Sequence, residues 1–150
     1  MLDRPTFRQV RKAARNMREL DRREAAALIS DDPDDVAFAV CNYDGPIYAV
    51  MINRVPAYVW GAYIQPHNGV WAAWGFGTNR FAEVQLEVNR WFKRNTARWM
   101  HDNGVQRCEC LSLAEKLDAH RWLKWLGWTE QADIDNYRHT GENFKLFSWR

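Results

Sequence analysis

Residues 70–103 carry the clearest change of period in the chain, from an unbroken apolar run to a helical repeat. Val70-Trp71-Ala72-Ala73-Trp74 has strand length, and Gly75-Phe76-Gly77-Thr78-Asn79-Arg80 is the turn expected to stop it. Phe81, Val84, Val88, Trp91, Phe92 and Trp99 then recur at helical spacing, with Arg90, Lys93, Arg94 and Arg98 between them. One long amphipathic helix is predicted, ending at Asn103-Gly104. A strand that passes through Gly-x-Gly into a helix leaves backbone N–H groups free to hold an anion such as a pyrophosphate. The same glycines also suit a tight connection in which they only supply permissive backbone angles.

Upstream, two helices are predicted over residues 6–19 and 22–29, the second opened by Asp21 and Glu24 as a capping box. Asp31-Asp32-Pro33-Asp34-Asp35 should end it. A strand is predicted over residues 36–42, a turn at Asp44-Gly45 and a returning antiparallel strand over residues 47–52. Between residues 55 and 68 only Tyr58-Val59-Trp60 reads as strand, because Pro56, Pro66 and Gly69 interrupt the pattern. Downstream, residues 105–112 form a strand parallel to the first, since a helix joins the two. Ala119, Trp122, Leu123 and Leu126 mark a helix closed by Gly127. Residues 128–137 and 143–149 form a final hairpin across His139-Thr140-Gly141-Glu142. The order implies an α+β, mixed α/β fold with a largely antiparallel sheet.

Length and composition fit one folded domain, and nine tryptophans favour a large aromatic core with some rings left to line a pocket. No apolar run approaches the length that spans a bilayer, and the opening residues lack a secretory apolar segment, so a cytosolic location is expected. Cys41, Cys108 and Cys110 match neither a disulfide set nor a zinc spacing, which leaves reduced thiols. Arg4, Arg8, Arg11, Arg15, Arg18 and Arg22 are spaced to share one helical face. With a net charge of only +2 and an acidic run close by, that stripe reads as a solvated face rather than a nucleic-acid surface.

Within this layout Ala119-His120-Arg121-Trp122-Leu123-Lys124-Trp125-Leu126-Gly127-Trp128 resembles the last-helix motif of the GCN5-related N-acetyltransferase (GNAT) superfamily. More narrowly the chain resembles a phage branch of that fold, the internal virion protein family of T7-like phages. That likeness runs through residues 14–21 with Glu24, Trp74-Gly75-Phe76-Gly77-Thr78-Asn79, residues 121–128 and Phe144-Lys145-Leu146-Phe147. The resemblance implies acetyl-CoA as cofactor, lying between two splayed parallel strands over residues 70–74 and 105–112. Its pyrophosphate would rest on Gly75, Phe76, Gly77, Thr78, Asn79 and Arg80, and a small-molecule or protein amine would accept the acyl group. It also implies a phage virion or host cytoplasm location, with a virion or host protein as a possible partner.

Three positions depart from the superfamily pattern. Ala72 replaces the Arg or Gln before Gly-x-Gly, Leu123 replaces the Tyr that protonates the thiolate, and Lys116 replaces the Asn that opens the last helix. By residue type the remaining acid or base candidates are His120, Glu109 and Tyr137, with Cys110 beside Glu109. Adjacent strand residues face opposite ways, so only one of Glu109 and Cys110 is expected in a pocket. Two functional readings remain: an N-acetyltransferase with an unconventional proton relay, or a catalytically silent virion or morphogenesis protein that keeps the fold for binding partners.

Overall fold

The computed structural model describes residues 2–149. Three short helices come first, α1 (Phe7–Arg15), α2 (Glu19–Leu28) and α3 (Pro33–Cys41). Strands β1 (Ile47–Ile52), β2 (Val55–Ile64) and β3 (Trp71–Gly77) follow, then α4 (Phe81–Asp102), β4 (Cys108–Leu113), α5 (Leu117–Trp125), β5 (Thr129–Tyr137) and β6 (Glu142–Trp149). The strands make one sheet in the order β1-β2-β3-β4-β6-β5, and only β3 and β4 are parallel. The mixed α/β layout, the long helix between parallel strands and the closing hairpin are as the sequence predicts.

Both faces of the central strands are covered, while the polar edge strand β5 is largely exposed. On one face Val10, Ala14, Val36 and Val40 of α1 and α3 pack on Ile47, Val59 and Phe76. On the other, Val84 and Val88 of α4 meet Tyr58 and Trp60, and Met100 and Leu123 meet Cys108 and Phe147. Among the described residues no helix is long and apolar enough to cross a membrane.

Four expectations are corrected. Residues 36–41 are helix, not strand, with Asn42 as its C-cap: Asp32 caps the Asp34 N–H at 2.9 Å, Pro33 opens the first turn, and the buried positions are Val36, Ala37 and Val40 while Phe38 is exposed. The hairpin turn is therefore not Asp44-Gly45 but Asn53-Arg54, whose positive φ values of 51° and 66° suit the primed turn of a two-residue loop. Next, β2 is a ten-residue strand inside the sheet rather than a short one. Its Pro56 is tolerated beside a register irregularity at Val50/Met51, and Gly61 is needed because a Cβ there would lie 2.8 Å from the Trp74 ring. Finally, the arginines do not share one helix. The chain leaves α1 at Asn16 and re-enters helix at Glu19, with Arg15 bound to Asp34 and Arg18 to Asp21.

Candidate active site

β3 and β4 pair only at Trp71 with Cys108 and Ala72 with Glu109. Beyond that point β3 runs on to Gly77 and β4 to Leu113 without pairing to each other, so the two strands open into a wedge. A cavity of about 430 Å³ occupies the wedge and reaches both faces of the sheet. Tyr58, Trp60, Cys110 and Trp122 line it on the α4–α5 side, and Tyr43, Tyr63, Trp74 and Tyr137 on the other. Because the cavity passes through the sheet, Glu109 and Cys110 both line it, contrary to the expectation that only one would.

Two carboxylates of α2 close the open end of the wedge. Asp21 Oδ2 accepts the N–H of Gly77, the last residue of β3, at 2.6 Å, and Glu24 Oε2 accepts the N–H of Leu113, the last residue of β4, at 2.9 Å. Between them stands Lys116, whose ammonium donates to Glu24 Oε1 at 3.2 Å and pairs with Asp21 Oδ1 at 3.1 Å. That second contact is a charge pairing outside hydrogen-bond geometry, so Asp21 Oδ1 has no hydrogen-bond partner. Arg18 completes the cluster, donating to Asp21 Oδ2 at 2.8 Å.

Burial pushes the Glu24 carboxyl up against the pull of Lys116, and the neighbouring Asp21 pushes it further. Burial by itself would lower Lys116, but Glu24 and Asp21 together outweigh it and hold the ammonium above its ordinary value. Burial also raises the Tyr58 phenol and the Cys110 thiol, so both keep their protons at neutral pH.

Gly75, Phe76 and Gly77 belong to β3, so the turn is confined to Thr78, Asn79 and Arg80. Neither glycine has positive φ. What each supplies is the missing Cβ: one built on Gly75 would lie 2.4 Å from the Tyr58 hydroxyl, and one on Gly77 3.2 Å from the Arg18 guanidinium. Trp71 N–H donates across to Arg107 and Gly77 N–H to Asp21, so alternation along β3 directs the Gly75 N–H into the wedge. Thr78 N–H is taken by the Ala57 carbonyl and Arg80 N–H by Thr78 Oγ1, while the Arg80 side chain pairs with Glu83. Helix α4 begins without a side-chain cap. Phe76 turns the other way, into the core under α1 and α3.

Glu109 and Tyr137 line the cavity; His120 does not. The His120 ring is buried against Phe147, its Nε2–H donates to the Leu113 carbonyl at 3.1 Å, and burial lowers its pKa. Glu109 is held by Arg107 at 3.0 Å. Sequence reasoning missed Asp21, Glu24 and Tyr58 as site residues, and treated Lys116 only as a departure from a pattern. A usable signal was present: two carboxylates three apart and a lysine in place of a neutral residue at a helix start.

Trp60, Trp71 and Trp74 leave the wedge open. Trp71 packs on Trp99, Trp60 on Trp91 and Phe92, and Trp74 on Phe76. Trp60 Nε1, Trp74 Nε1 and Ser112 Oγ are buried without partners, and all three residues line the cavity. Buried polar atoms left unpaired cost about 1–3 kcal/mol each, which marks a place where a ligand can complete the hydrogen bonding.

No family model and no curated protein matches the chain. Solved structures do. A GNAT-family acetyltransferase from Bacillus anthracis superposes with a TM-score of 0.69 at 6% identity, covering 99% of this chain and 92% of that one. An aminoglycoside acetyltransferase, AAC(6')-Ib in complex with coenzyme A, gives 0.64 at 12% identity over 99% and 93%. The ribosomal-protein-S5-alanine acetyltransferase from Vibrio fischeri gives 0.63 at 10% over 99% and 90%. The chain therefore has the fold of the GNAT acetyltransferases. The narrower likeness to phage internal virion proteins has no support among these comparisons.

Proposed function

We propose that this protein is an acyl-CoA-dependent N-acyltransferase. The observation that carries the reading is the wedge between β3 and β4, open through the sheet and edged by buried polar atoms that lack partners. These residues fit coenzyme A. The Gly75 N–H, Ser112 and Trp60 offer hydrogen bonds to a pantetheine chain, and the uncapped start of α4 beside Asn79 is the place for the pyrophosphate, held by the helix dipole rather than by the N–H groups of Gly77, Thr78 and Arg80, which already have partners. When bound, acetyl-CoA supplies a thioester whose acyl carbon is open to attack by an amine.

The chain's own residues then divide the proton work. Glu24, whose carboxyl is already pushed up by burial, takes the proton that the amine loses as the C–N bond forms. Tyr58, a buried phenol that keeps its proton, returns one to sulfur as the C–S bond breaks and so does what Leu123 cannot. Lys116 holds positive charge where negative charge develops. Glu109 and Tyr137 orient the amine, and His120 acts from outside the cavity by fixing the Leu113 carbonyl at the end of β4.

Calorimetric titration with acetyl-CoA and with CoA tests this, repeated on Ala73→Trp, which fills the wedge just beyond the last paired residue. Micromolar binding that the variant loses while retaining its circular dichroism supports the reading. No heat and no thermal stabilisation at millimolar ligand overturns it. In that case the alternative stands, a catalytically silent fold serving as a phage virion or morphogenesis protein, which the departures at Ala72, Lys116 and Leu123 favour.

A further inference from the structure

The acceptor side of the cavity has a chemistry of its own, and an acceptor read from it rests on the acyltransferase function proposed for the wedge. Tyr43 and Tyr63 stack with ring centroids 4.0 Å apart and planes at 24°, and Trp74 meets Tyr43 edge-on at 6.3 Å. All three line the cavity, with Tyr137 completing an aromatic wall. The Trp74 Nε1–H is buried and has no partner.

The charge of the cavity is as informative as its rings. Five ionisable groups of fixed charge line it: Asp21, Glu24, Glu109, Lys116 and Arg138. Every carboxylate already has a cation, Asp21 from Arg18 and Lys116, Glu24 from Lys116, and Glu109 from Arg107. Arg138 lies over the Tyr137 ring and donates to the Leu28 carbonyl, and among the described residues it has no carboxylate partner. A polycation entering here would meet no unneutralised negative charge and one exposed positive one. A flat ring with a single amine gains stacking on the tyrosines and needs no carboxylate cage.

We propose that the acceptor is an arylalkylamine, a primary amine on a short alkyl chain attached to an aromatic ring bearing a hydrogen-bond acceptor, which the Trp74 indole N–H reads. Polyamines and aminoglycosides are excluded by the same charges.

The test measures amine binding by calorimetry with tyramine, phenethylamine, spermidine and kanamycin, first on the protein alone and then with saturating CoA, and separately follows thiol release from acetyl-CoA. Tyramine should bind at least about tenfold tighter than spermidine or kanamycin, and Tyr63→Ala should weaken it by about tenfold. Trp74→Phe keeps a ring but removes the N–H, so it should weaken tyramine several-fold and leave phenethylamine unchanged; this contrast is independent of any general loss of folding. Spermidine or kanamycin binding as tightly as tyramine overturns the inference, as does an equal effect of Trp74→Phe on both arylalkylamines. Arylalkylamine binding without any acetyl-CoA binding would keep the aromatic acceptor site and overturn the acyltransferase reading, and acetyl-CoA binding without arylalkylamine binding would do the reverse.

Discussion

Asp21 and Glu24 are the same functional group one helical turn apart, and each receives the last N–H of a central strand, yet their surroundings give them different work. Asp21 ends β3 and has two cations, Arg18 and Lys116. Glu24 ends β4 with Lys116 alone, and burial raises its pKa. The first is a fixture that ties α2 to β3. The second sits where burial, opposed by a single cation, favours its protonated form. A buried carboxylate's role thus depends on how many cations it shares.

Removing the Asp21 side of this pair should have the gravest consequence. Asp21→Ala strands the Gly77 N–H, frees Arg18 and leaves Lys116 with Glu24 alone, and should cost about 3–5 kcal/mol in urea denaturation, the range for removing one partner of a buried ion pair. Glu24→Gln keeps an acceptor for Leu113 and should cost only about 1 kcal/mol, while lowering kcat by about a hundredfold or more if Glu24 is the base. Glu24 also adds a pH dependence of its own. The folded Glu24 lies above its ordinary value of 4.5, so the stability it contributes is full below that value and fades as pH rises through the folded one. The glutamine variant should therefore compare better with wild type at neutral pH than at about pH 4.

The two glycines of β3 repeat the contrast on a smaller scale. Gly75→Ala places a methyl 2.4 Å from the Tyr58 hydroxyl and should cost about 1–3 kcal/mol, part of it recovered by adding Tyr58→Phe. Gly77→Ala, whose nearest atoms are 3.2 Å away and include the end of a flexible arginine, should cost less. The mildest change lies at His120. Its folded pKa is below the ordinary 6.5, so its stability contribution is present above that value and lost as pH falls through the folded one. Wild type should lose stability between about pH 7.5 and 5 that His120→Gln does not lose, read from urea midpoints.

Segments whose burial follows one local period were legible in the sequence. The repeat from Phe81 to Trp99 specified α4, and the apolar run before it specified β3, because each element buries a face that its own periodicity draws. The parallel pairing of β3 and β4 followed from the helix between them. Residues 36–42 misled because Val36, Phe38 and Val40 alternate, while the Asp32-Pro33 cap that fixes a helix lies outside the run.

Legible from residue order alone were the succession of elements after residue 70, the glycines at the end of β3 and the departures at Ala72, Lys116 and Leu123. Packing assigned those positions their purpose. The Gly75 and Gly77 side chains are absent because Tyr58 and Arg18, far away in the chain, need the space. Asp21 and Glu24 look like a helix cap until α2 lies across the wedge, and Lys116 looks like a surface lysine until both carboxylates enclose it. The reason is physical: a local pattern records how a segment meets its own solvent and core, whereas a polar cluster is defined by partners of unrelated position, and only the folded chain brings them within hydrogen-bonding distance.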